Sequence, residues 1–146
     1  MTELEAVATT VQVTFDCTEP HRMARFWAEA LGYEKESHVA LVRQLLESGD
    51  VPREATLEID GGPQFADVSA CRDPAGSGPR LYFQRVPEGK VVKNRAHLDL
   101  HVGRERLESE AERLETLGAH RLWFSNDRGA DCWTMADLEG NEFCVD

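Results

Sequence analysis

Four short stretches of this sequence set polar and ionisable side chains two residues apart. His97, Asp99 and His101 alternate with Leu98, Leu100 and Val102, and Thr14 and Asp16 alternate with Val13, Phe15 and Cys17. Arg80, Tyr82 and Gln84 alternate with Leu81 and Phe83, and Glu142 and Cys144 alternate with Phe143 and Val145. Period two is the period of a β-strand, whose successive side chains point to opposite faces. Each stretch therefore sends its polar groups one way and its apolar groups the other. Imidazoles, carboxylates, a guanidinium and a phenol gathered on such faces are costly to enclose unless they are paired or used. His97 and Glu142 are the candidates for moving a proton. Thr14, Asp16, Arg80, Tyr82, Gln84, Asp99 and Cys144 are candidate ligand contacts, and Trp133 is a candidate aromatic wall.

Each residue also has a structural reading. His97 can be a hydrogen-bonded structural histidine, and Trp133 can be core. Asp16 and Asp99 can cap turns or pair with Arg95 or Arg80. His101 lies at a strand end and is expected to be solvated, and Asn94-Arg95 can brace a loop. Trp27 falls on a helical apolar stripe and is expected in the core. The four cysteines, Cys17, Cys71, Cys132 and Cys144, form no C-x-x-C pair. They are expected as free thiols, without a structural zinc or redox motif.

The elements that must position these residues occur twice. Residues 12–33 read as a strand, a turn and a helix ending in Leu31-Gly32, and residues 96–119 repeat that order and end in Leu117-Gly118. An Asp-x-x-Gly turn then precedes a last strand in each half, Asp73 to Gly76 and Asp137 to Gly140. Met23, Phe26, Trp27, Ala30 and Leu31 make the first helix stripe, with Thr18 as expected cap, Pro20 in the first turn and Gly32 as stop. Leu107, Ala111, Leu114 and Leu117 make the second. The first half carries an insertion over 36–63. There Val39, Val42, Leu45 and Leu46 predict a short helix and Thr56 to Ile59 a strand, closed by Gly61-Gly62-Pro63. The insertion either covers a sheet edge or a dimer contact, or acts as a lid that brings Val42, Leu45 or Leu46 to a ligand.

Composition narrows the classes. The chain has 146 residues and a net charge of −11, which disfavours nucleic acid as a partner. No apolar run is long enough to span a membrane. The start, MTELEAVATT, lacks the basic and apolar regions of an export signal, so a cytoplasmic protein is expected. No phosphate loop, dinucleotide fingerprint or nucleophile elbow occurs.

The paired strand-helix-strand order, with LG after each helix and DxxG before each last strand, resembles the vicinal oxygen chelate superfamily. VTFDCTEPHRMARFWAEALGY, GPRLYFQRVPEGKVVKNRAHLDL and WTMADLEGNEFCV are similar to glyoxalase-like domain proteins of the actinobacterial kind. The resemblance implies an α+β fold in which two βαβββ modules form a curved mixed sheet around a central cleft, with helices on the outer face. It implies a single domain over 1–146, with one module at 8–86 and the other at 92–146. The superfamily's metalloenzymes take one ligand from the first and one from the last strand of each half, His or Gln early and Glu late. Those positions here fall on Thr14, Tyr82 (with Gln84 beyond it), His97 and Cys144. We therefore expect no tightly held metal or other cofactor, and only a weaker His97/Glu142 site for zinc or nickel. The function implied is binding of a small organic, partly aromatic ligand, as in glyoxalase/bleomycin-resistance proteins. The alternative is a lyase or isomerase using His97 or Glu142, with or without a weakly bound divalent metal. A homodimer is expected.

Overall fold

A computed structural model describes residues 7–146; residues 1–6, part of the segment read above for an export signal, lie outside it. The first half runs β1 (Val13–Cys17), α1 (Pro20–Leu31), β2 (Glu34–Lys35), then the inserted α2 (Val39–Ser48), β3 (Thr56–Ile59) and β4 (Gly62–Phe65), then β5 (Val68–Arg72) and β6 (Leu81–Arg85). The second half runs β7 (Asp99–Leu100), α3 (Leu107–Thr116), β8 (His120–Ser125), β9 (Cys132–Ala136) and β10 (Glu142–Val145). The sheets order as β1-β6-β5-β2 and β7-β10-β9-β8, so the same topology occurs twice. In both, the first strand runs parallel to the last, and the other pairs are antiparallel. The result is an α+β fold of open mixed sheets.

The apolar alternates of the strands and the helix stripes meet in one core shared by both halves. Trp27, Phe83, Met23, Leu114 and Met135 are fully buried. Phe15 stacks on Phe83 at 5.3 Å, and Trp27 meets Phe143 of the other half edge-on at 5.0 Å. Removing such a buried ring costs about 3–5 kcal/mol. The Trp27 indole also donates to Asp137 at 3.1 Å, joining α1 to the second half's turn.

Two local expectations are corrected. Thr18 does not cap α1: no side chain of its own turn caps that helix. Instead Glu139, from the Asp-x-x-Gly turn of the other half, accepts from the Thr18 amide at 2.7 Å and the Glu19 amide at 3.0 Å. At the other end, the Arg113 guanidinium donates to the carbonyls of Glu29 and Ala30 at 3.1 and 2.9 Å. Secondly, Gly62-Pro63 is not a closing loop but the start of β4, which pairs with β3. The reversal is Asp60-Gly61, both at positive φ (53° and 90°), a two-residue turn that matches the twist of a hairpin.

Candidate functional site

A cavity of about 680 Å³ opens in the seam between β1 and the connection from β6 to β7. Phe15, Trp27, Leu98 and Phe143 supply its apolar wall. Thr14, Asp16, Lys90, Asn94, His97 and Glu142 supply its polar wall. Apolar walls with a few convergent polar groups are the usual make-up of a small-molecule site. Of the residues singled out from the sequence, Thr14, Asp16, His97 and Glu142 line this cavity. Arg80, Tyr82, Gln84, Asp99, Trp133 and Cys144 do not.

Strand register explains part of that division. Thr14 sits opposite Tyr82, and Asp16 opposite Gln84, whose amide donates to the Asp16 carboxylate at 2.8 Å. Asp99 sits opposite Cys144. With Asp16 and Asp99 taken as equivalent, the first-half counterpart of Cys144 is therefore Gln84 rather than Tyr82. Arg80 is tied by two bonds to Glu36, at 2.6 and 3.0 Å, and lies over the Tyr82 ring at 5.3 Å. The hydrogen bond from Arg80 holds the Glu36 carboxyl below its ordinary range. Arg80 thus pairs with neither Asp16 nor Asp99.

Trp133 is not a wall of the cavity. It pairs with Phe124 and Val145, on the alternate opposite to Thr134 and Cys144. Its indole donates to Glu108 at 3.2 Å, and the Arg121 guanidinium lies 4.7 Å over its ring. His101 is exposed, as expected, and bonds Asp146.

Glu142 is held firmly. Its carboxylate accepts from Lys90 Nζ at 3.0 Å and from the Asn94 amide at 2.9 Å, and Asn94 also donates to Asn141 at 3.1 Å. Partial burial works against the charge, but the Asn94 amide and the Lys90 ammonium outweigh it and hold the pKa at about 2. Asn94 is thus the loop brace expected from its position. Glu142 fixes the connection that forms one wall of the cavity.

His97 is placed differently. Its Nδ1 meets Asp99 Oδ1 at 2.8 Å, and Nε2 has no partner among the described residues. The Cys144 thiol stands 4.0 Å from His97 Nδ1 and 3.7 Å from Thr134 Oγ1. Donor atoms of His97, Asp99 and Cys144 all lie within 4.8 Å of one another. The four-ligand arrangement implied by the resemblance does not fit these residues. Thr14 and Tyr82 are poor ligands, and the Gln84 side chain is turned to Asp16, to which its amide nitrogen donates. What remains is a three-residue group from the second half alone, in which Asp99 and Cys144 join His97 and Glu142 takes no part. The four cysteines are free thiols, and burial pushes Cys17 and Cys71 up to about 12. No described helix is long and apolar enough to cross a membrane.

Residues 12–145 match the glyoxalase-like domain family. No functionally curated protein matches the sequence. Among solved structures, a hypothetical protein from S. aureus superposes with a TM-score of 0.62 at 11% identity, covering 97% of this chain and 95% of that one. Fosfomycin resistance protein FosX from Listeria monocytogenes, complexed with Mn(II) and 1S,2S-dihydroxypropylphosphonic acid, superposes with a TM-score of 0.61 at 9% identity, covering 96% and 90%. A glyoxalase/bleomycin resistance protein/dioxygenase family enzyme from Burkholderia phytofirmans gives a TM-score of 0.60 at 14% identity, covering 92% and 94%. At such identities the likeness is one of fold. The family match over nearly the whole chain goes further: the chain belongs to the glyoxalase-like domain family.

Proposed function

We propose that this protein binds a small organic, partly aromatic ligand in the seam cavity, without a tightly held metal. The observation that carries the reading is the cavity's make-up: the rings of Phe15, Trp27 and Phe143 on one side and Asp16, Lys90, Asn94 and His97 on the other. The half-buried Phe15 and Leu98 give apolar contact area, backed by the buried Trp27 and Phe143 rings, and the polar groups fix orientation. Metal-free protein screened by thermal shift against aromatic compounds and carbonyl metabolites tests it. A ligand at 100 times its dissociation constant adds about 2.7 kcal/mol, which for a chain of this length raises Tm by about 5–10 °C. Ala96→Trp fills the cavity from its rim and should abolish the shift. An unchanged shift in that variant, or no hit in a broad screen, overturns the reading.

The His97–Asp99 contact favours a second reading, a lyase or isomerase. Asp99 on Nδ1 fixes the ring and leaves Nε2 free to take a proton beside a substrate carbonyl. Glu142, held at about 2, is too weak a base for that task at neutral pH. A ligand that is turned over, with turnover lost but binding kept in His97→Ala, separates enzyme from binder. Self-association and residence in the cytoplasm belong to the same proposal and are read by light scattering and cell fractionation.

A further inference from the structure

We infer that the seam between the halves holds a second ligand site, which takes an apolar monocarboxylate. The tail lies against Leu31, Leu98, Leu100 and Val102, and the carboxylate meets the Arg106 guanidinium. The site belongs to a different cavity from the one described above and does not depend on the ligand-binding reading given there.

The duplication supplies the second cavity. β1 and β7 are each an end strand of their sheets, and a cavity opens at either end of the seam beside them. The first reaches back from Leu98 to Ala96; the second, of about 730 Å³, runs on from Leu98 to Val102 and is closed by the end of α1 and the start of α3. Aligning Leu31-Gly32 with Leu117-Gly118 puts Arg113 where the first half has Trp27. Aligning Asp16 with Asp99, and Gln84 with Cys144, sets Leu98 against Phe15 and Leu81 against Asn141. Phe15, Trp27 and Asn141 line the first cavity, and Leu98, Arg113 and Leu81 line the second. The two are thus equivalent places in the duplicated fold with the side chains exchanged: leucines for a ring and an amide, and a guanidinium for an indole.

Burial and hydrogen bonding decide which ligand. Leu31, Leu98, Leu100 and Val102 are only half-buried, so an apolar tail has surface left to cover. Arg113 is largely spent: it caps α1 through the Glu29 and Ala30 carbonyls, and its Nε and Nη2 meet Glu110 at 3.0 and 2.9 Å. Arg106 gives Nη2 to the same Glu110 at 3.0 Å, while its Nε and Nη1 have no partner among the described residues and 66% of its side chain is exposed. Two guanidinium groups therefore share one protein carboxylate, and a ligand carboxylate complements the donors left over. Glu29 and Asp99 also line the cavity, so a second negative charge on the ligand is penalised. His101, at the rim, is already bonded to Asp146. The charge pattern thus selects a monoacid over a neutral, cationic or doubly acidic compound with the same tail.

Octanoate titrated into the purified chain, with leucine and valine methyl groups followed by NMR, tests the site. The methyls of Leu31, Leu100 and Val102 should shift saturably, and those of Val13 and Val86, in the first cavity, should not. Octanol, octylamine and the eight-carbon diacid should each bind about 3–10-fold more weakly than octanoate. From hexanoate to octanoate, each added methylene should tighten binding about 2–4-fold. Arg106→Gln, at an exposed position, should weaken octanoate by about 3–10-fold. Pro79→Trp, at the rim, should abolish binding, and Ala96→Trp, at the first cavity, should leave it unchanged. Should a variant fail to fold, the comparison of octanoate with octanol on the wild-type chain decides. No saturable shift, octanol binding as tightly as octanoate, indifference to Arg106→Gln, or shifts confined to Val13 and Val86 overturns the inference. Because the methyls report the two cavities separately, failure here leaves the first reading standing, and the reverse also holds.

Discussion

Replacing Glu142 by glutamine separates a brace from a base. The substitution keeps the side chain's size and an acceptor for the Asn94 amide, and it removes the charge that Lys90 meets at 3.0 Å. The side chain is 12% exposed, so most of that charge is out of water. Moving the carboxyl from its ordinary 4.5 to about 2 corresponds to about 3 kcal/mol at neutral pH, an upper limit because Lys90 is partly solvated. Hydrogen bonds to a charged group contribute about 1.5–3 kcal/mol, which brackets the loss expected for Glu142→Gln near 2 kcal/mol. For a chain of this length that lowers Tm by about 4–8 °C. The sign with pH follows from the depressed value. A carboxylate stabilised in the folded state contributes fully above its unfolded pKa and loses that contribution as pH falls through the folded one. The gap between wild type and variant should therefore be constant above pH 4.5 and close as pH falls toward about 2. Urea melts at a series of pH values measure it, and hydrogen exchange at the Asn94 amide gives a local readout that should quicken in the variant. A gap below about 0.5 kcal/mol at pH 7, the range of an ordinary surface change, or one independent of pH, refutes the reasoning and returns Glu142 to the candidate bases.

Two further predictions concern what holds the frame of the site. His21 donates through Nε2 to the Phe65 carbonyl at 2.7 Å and accepts at Nδ1 from Lys35 at 3.0 Å, where Asp60 bonds both Lys35 and Arg25. Burial pulls its pKa below 6.5, so its contribution is present above that value and is lost as pH falls; NMR titration should show the depressed value, and His21→Gln should flatten the fall in stability below pH 6.5. Glu139→Ala should cost about 1 kcal/mol by uncapping α1, while Thr18→Ala, whose hydroxyl caps nothing, should stay within about 0.5 kcal/mol in the same thermal melts; the reverse order would restore Thr18 as the cap.

Much of the frame was legible because its signals are local. Gly32 at φ 70° ends α1, as its place after Leu31 implies. The two Asp-x-x-Gly turns precede β6 and β10, and α2 and β3 lie where the insertion's apolar spacing put them. Trp27 is core, as its stripe required. The missed hairpin also had a local signal, Asp60-Gly61, outweighed by the loop-like look of Gly61-Gly62-Pro63. The cap on α1 had none. Glu139 lies far along the chain from Thr18, and nothing near either residue announces their contact.

The site divides along the same line. Alternation decides which face a side chain takes, and it held for Thr14 with Asp16 and for His97 with Asp99. It also placed Trp133 with Val145, so applying it strictly would have removed that residue from the ligand contacts. Alternation does not decide what a polar group meets on its face. Gln84 spends its amide on Asp16, Arg80 its guanidinium on Glu36, and Glu142 its carboxylate on a loop 48 residues earlier. Each is a candidate contact by residue type that the fold ties to a protein partner. His97 keeps Nε2 without a partner among the described residues at the cavity wall, and so carries the proton-transfer reading. Availability, rather than residue type, selects the chemistry on this fold, and availability is set by residues tens of positions away in the chain.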